Sequence, residues 1–131
     1  MAERFVNQGL GQNIGLLFAC SGDTEQVLSM AVDDRSTGFG ASDTTLVSPA
    51  NVHAEDFDSP PTRSGVDVTV ICTLETGDYN QTVRRISWHM AAAASVTGTS
   101  TTLVVGVDGQ SLVKTNDMTL TITATFRAAD T

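Results

Sequence analysis

The sequence predicts an all-β fold, a small antiparallel β-sandwich or barrel, preceded by a short amino-terminal helix or arm. Residues 66–75, VDVTVICTLE, alternate apolar and polar side chains with a period of two, interrupted only at Ile71. Residues 118–126, MTLTITATF, do the same, with Met118, Leu120, Ile122, Ala124 and Phe126 facing one way and Thr119, Thr121, Thr123 and Thr125 the other. Clusters of Gly, Asp and Asn punctuate these runs where a β-rich chain has to reverse.

From the amino terminus, MAERFVNQGLGQNIGLLFAC sets Leu10, Ile14, Leu17 and Phe18 at helical spacing. Gly9, Gly11 and Gly15 each cost about 1 kcal/mol relative to alanine in a helix interior. Residues 1–20 are therefore expected to form a short helix, or an arm that docks on a neighbour through Phe5, Val6, Leu10, Ile14, Leu17 and Phe18. They lack a Lys/Arg-rich start followed by an uninterrupted apolar core, and no run in the chain approaches bilayer length, so a soluble chain without a cleaved signal or membrane partner is expected.

Residues 26–33, QVLSMAVD, read as a strand with Leu28, Met30 and Val32 aligned. Asp33, Asp34 and Arg35 then read as an exposed turn with a local ion pair of little energetic weight. Residues 34–65, rich in Ser, Gly, Asp and Pro, read as long loops, and loops this long in a small domain often contact partners. Phe57, Pro60 and Pro61, in the rigid FDSPPTRSG, are the interface candidates there.

The strand at 66–75 and the segment TVRRISWHM, joined by TGDYNQ, are expected to form a hairpin. Ile86, Trp88 and Met90 share one face. Arg84 breaks that face, so the pattern either starts at Ile86 or passes through a bulge. His89 projects to the opposite side and reads as a surface or interface histidine. After the small-residue spacer AAAASVTGTS, Leu103, Val105 and Val107 alternate with Thr102, Val104 and Gly106. Asp108-Gly109 supplies a two-residue hairpin turn, with Leu112 and Val113 continuing the partner strand. Asn116-Asp117 open the last strand.

Composition narrows the function. The 131 residues suit a single domain, 1–131, able to bury roughly two thirds of its unfolded surface. A net charge of −8, from 15 acidic and 7 basic residues, works against nucleic-acid partners and anionic membrane surfaces. Cys20 and Cys72 show no CxxC spacing, so Cys72 is expected as a buried free thiol, with a disulfide to Cys20 as the alternative. In HAEDFD, residues His53, Glu55, Asp56 and Asp58 could gather a divalent cation, but neither EF-hand nor HExxH spacing is present and a solvated acidic loop is expected.

No GxSxG, P-loop or GxGxxG motif occurs. Asp67 and Glu75 sit at the two ends of one strand, a poor arrangement for a glycosidase pair. The expectation is no catalytic residue, no cofactor and no metal, hence a task performed by surface contact.

The segment RRISWHMAAAASVTGTSTTLVVGVDGQSLVKTNDMTLTITATF, residues 84–126, resembles small structural proteins of tailed bacteriophages. It shares with them a strand closing near Trp88 and His89, a spacer of small residues and the ending TTLVVGVDGQSLVKTNDMTLTIT. The resemblance covers about a third of the chain and brings no catalytic residues with it. It implies a virion protein assembled in the host cytoplasm, most simply a capsid decoration or cement protein on the major capsid lattice. The alternative is a tail-fibre or baseplate-associated protein that contacts the host surface. Either implies contact with other virion proteins and a homo-oligomer.

Overall fold

The structure, a computed structural model, describes residues 27–40, 43–46, 51–97 and 101–127. The expected amino-terminal arm, with Phe5, Val6, Leu10, Ile14, Leu17 and Phe18, and the Cys20 partner lie outside the described residues.

The fold is nearly all β, as the alternation predicts. In chain order the strands are β1 (Ser29–Asp33), β2 (His53–Asp56), β3 (Thr62–Ser64), β4 (Asp67–Leu74), β5 (Thr82–Val83), β6 (Arg85–His89), β7 (Leu103–Val107), β8 (Leu112–Val113) and β9 (Leu120–Arg127), with a single 3-10 turn at Ala93–Ser95. All described pairings are antiparallel. One sheet has the order β2-β1-β6-β7, a second β3-β4-β9, and β5 pairs with β8 as a short ribbon.

The period-two patterns of β4 and β9 explain how the two larger sheets share a core. Val68, Val70, Cys72 and Leu74 are buried, and Leu120, Ile122, Ala124 and Phe126 pack beside them. Met30, Val32, Ile86 and Trp88 from β1 and β6 complete the cluster. Trp88 meets Phe126 edge-on, at 5.0 Å between centroids and 85° between planes, a favoured aromatic geometry. The threonine face of β9 is exposed as expected. Thr125 and Thr121 lie 3.1 and 3.2 Å from Thr69 and Thr73 across the β4 ladder, oxygen to oxygen.

Three expectations need correction. The hairpin between 66–75 and 82–90 does not form: β4 pairs with β3 and β9, whereas β6 pairs with β1 and β7. An apolar face can be buried against another sheet as well as beside a sequence neighbour, and here the two segments belong to different sheets that contribute to one core. Asp108-Gly109 does turn, with Gly109 at φ +71°, but its arms diverge, β7 to β6 and β8 to β5.

Residues 34–65 are not loop throughout, since they contain β2 and β3. β3 enters β4 through a tight turn in which Gly65 has φ +63°. β1 is buried on both faces. Its outer side, at Ala31, is covered by Leu46 and Val96, with Phe39, Val52, Ala54 and Ala91 around them. The expected interruption at Arg84 is present as the break between β5 and β6.

Candidate interaction surface

The chain enters β1 through Val27, which is buried, and Leu28, which is 38% exposed. Beside Leu28 lies an open groove of about 470 Å³, lined also by Phe57, Pro60, Pro61 and Ala92. The structure thus brings together the three interface candidates from the 34–65 segment. Sequence reasoning missed Leu28, which reads as a core residue because it shares the parity of Met30 and Val32.

The wall of this groove is held stiffly. Phe57 packs against the main core. Asp56 accepts a 2.8 Å hydrogen bond from the Ala93 backbone N–H through Oδ1. Asp58 accepts from Thr73 twice, at 3.1 Å from N–H and 2.5 Å from Oγ1, while its own N–H donates to the Ile71 carbonyl at 2.9 Å. Pro60 and Pro61 have fixed φ. Asp56, Asp58 and Ser59 line the groove beside its apolar side chains, and both carboxylates are engaged by the protein's own backbone and hydroxyls.

HAEDFD is therefore not an acidic loop. Its first four residues are β2, and strand alternation puts His53 and Glu55 on one face, with His53 Nε2 2.8 Å from Glu55 Oε1. Asp78, from the turn after β4, joins them, and the three ligand-type atoms lie within 4.8 Å of one another. A histidine and two carboxylates form a donor set a divalent cation accepts. Asp56 and Asp58 take no part in it. The Tyr79 ring stands 6.3 Å from His53.

A polar row on the outer face of the β1–β6 pair is the largest departure from expectation. Asp33 does not stand in an exposed turn; it is buried and meets Arg85 across the sheet. Arg85 Nε donates to Asp33 Oδ1 at 2.8 Å and Nη2 to Oδ2, both side chains being essentially inaccessible. Nη1 reaches the Thr37 carbonyl at 3.3 Å, and the Phe39 ring lies 4.9 Å from the guanidinium carbon. His89 projects away from Trp88 as alternation requires, yet it is fully buried rather than at a surface. Leu46 and Val96, with Phe39 and Ala91, pack over that face at Ala31. The apolar Phe39, Leu46 and Val96 within apparent loops were the signal that something lay beneath them.

His89 Nε2 is 2.8 Å from Ser87 Oγ, and Nδ1 is 3.0 Å from Thr102 Oγ1. Burial pushes its pKa down to about 4, so the ring is neutral. A serine next to a histidine is also the start of a nucleophilic dyad. Here both side chains are closed off, at 1% and 0% exposure, and the third member is a hydroxyl, so the contact satisfies polar groups inside a covered sheet.

Cys72 is a free, buried thiol, as expected. Burial first, then the charges of Asp58, Glu55 and Asp56, push its pKa up to about 12. Its Sγ donates to the Asp56 carbonyl at 3.3 Å, which leaves it unreactive. Comparison of the chain with protein-family models, with curated proteins and with solved structures finds no match.

Proposed function

We propose that the chain is a bacteriophage virion structural protein, a capsid decoration protein that attaches to the major capsid lattice as a small β-sandwich and stabilises it. The observation that carries this reading is the stiff apolar groove at Leu28, Phe57, Pro60 and Pro61, at the point where residues 1–26 join the body. That segment carries Phe5, Val6, Leu10, Ile14, Leu17 and Phe18. Two kinds of apolar contact are thus available, those of the segment and those of the preformed groove. Preorganised contacts of this kind bind with little ordering cost. The net charge of −8 favours a basic patch on the capsid protein as the complement.

The reading is tested by adding the protein to heads that lack it. Leu28→Asp, at an exposed position outside the core cluster, is expected to leave the fold intact and abolish attachment, and deletion of residues 2–18 is expected to do the same. Full occupancy of heads by both folded variants would overturn it.

A further inference from the structure

Strand edges invite pairing, and folded proteins usually protect them by shortening, charge, proline or a covering segment. In this fold every edge of the two larger sheets but one carries such protection. β2 has four residues and presents His53, Glu55 and Asp56. β3 has three, contains Arg63 and follows Pro60-Pro61. β7 is flanked by Phe39 and Thr44: Leu103 N–H donates to the Thr44 carbonyl at 3.2 Å, and a Cβ on Gly106 would come within 2.5 Å of the Phe39 ring.

β9 differs. It is an eight-residue edge strand without proline or glycine, and nothing among the described residues lies along its free side. Its one charge, Arg127, sits at the end and is held by Asp67 on β4 at 2.7 and 3.0 Å. Its inward residues Leu120, Ile122, Ala124 and Phe126 are half-buried.

We infer that β9 pairs antiparallel with β9 of a second copy, about a twofold axis at Thr123, to make one continuous six-stranded sheet. The strand is complementary to itself in that register. Leu120 falls opposite the partner's Phe126, Ile122 opposite the partner's Ala124, Thr121 opposite the partner's Thr125, and Thr123 opposite the partner's Thr123. Apolar residues meet apolar on the core side and threonines meet threonines on the outer side, the same cross-strand chemistry that already joins β4 to β9. The main-chain ladder supplies affinity, as in other strand additions, and the closed symmetry stops growth at two copies. A register shifted by one residue would set threonines against the apolar row, so the alternation excludes it; among the registers it allows, the twofold at Thr123 pairs all of Leu120–Phe126. This pairing is independent of where the protein is mounted.

The test uses the full chain, free of particles. Sedimentation equilibrium is expected to give twice the chain mass, and Thr123→Lys, which sets two like charges face to face at an exposed position, is expected to return it to the monomer while the chain stays folded. With Cys20 replaced by serine, Thr123→Cys is expected to oxidise to a covalent dimer. Thr69→Cys, one strand further in, is expected not to, because three strand spacings of about 4.8 Å separate it from its mate and a disulfide needs Cα atoms within about 7 Å. A monomeric full chain would overturn the inference, including one that dimerises only after residues 1–26 are removed, since those residues would then cover the edge. Equal cross-linking at both positions, or a dimer that survives Thr123→Lys, would overturn it as well.

Discussion

Asp33→Ala removes a carboxylate that receives two of the Arg85 donors and leaves a guanidinium at 1% exposure without that carboxylate. Breaking a buried pair from one side costs about 3–5 kcal/mol, because the surviving charge stays desolvated. Set against a total stability of about 5–15 kcal/mol, that is a large fraction. It corresponds to a fall in Tm of about 10–20 °C for a chain of this size.

Urea unfolding followed by fluorescence of Trp88, the only tryptophan, reads the change as a lower midpoint at unchanged slope. Replacing both partners, Asp33→Leu with Arg85→Met, is expected to recover most of the loss, since an apolar pair of similar volume avoids the desolvation cost. A cost below about 1 kcal/mol for Asp33→Ala is what an exposed pair would show, and it would refute the argument that the covering side chains seal this face.

Three further outcomes follow from the same packing. His89 has its pKa depressed from 6.5 to about 4 by burial, so the unfolded chain takes up the proton first. The stability it supports is complete above pH 6.5 and is lost as pH falls towards 4, by about 3 kcal/mol at roughly 1.4 kcal/mol per pH unit. Stability against pH for the wild type and His89→Gln should differ by that slope, and parallel curves would contradict it. Trp88→Ala should cost about 3–5 kcal/mol through the cavity left against Phe126; a mild effect in thermal unfolding would mean that the two sheets do not close over it. Tyr79→Phe should be neutral or stabilising by up to about 1 kcal/mol, because the Tyr79 hydroxyl is buried without a hydrogen-bond partner. A clear loss of stability in urea would show that the hydroxyl is paired.

The fold class was legible because β4 and β9 each bury one face, and a period of two reports that directly. Pairing partners were harder to read. The alternation in 66–75 and 82–90 says which side chains are inside, while the choice between a lateral and a stacked neighbour depends on residues distant in sequence. The polar row Asp33, Arg85, Ser87 and His89 was misread for a related reason. Its alternation is that of a solvated face, and only the cover supplied by Phe39, Leu46 and Val96 turns it inward. At the candidate surface, Phe57, Pro60 and Pro61 stood out through their apolar, rigid chemistry within a polar stretch. Leu28 was hidden because strand parity assigned it to the core, and the His53–Glu55–Asp78 cluster was hidden because Asp78 arrives from another element.

The most direct measurement of the proposed role is the copy number of this chain relative to the major capsid protein in purified particles, by quantitative mass spectrometry. A decoration protein predicts a ratio approaching one to one. A few copies per particle would contradict decoration and move the protein to the tail, and absence from particles would contradict a virion role altogether.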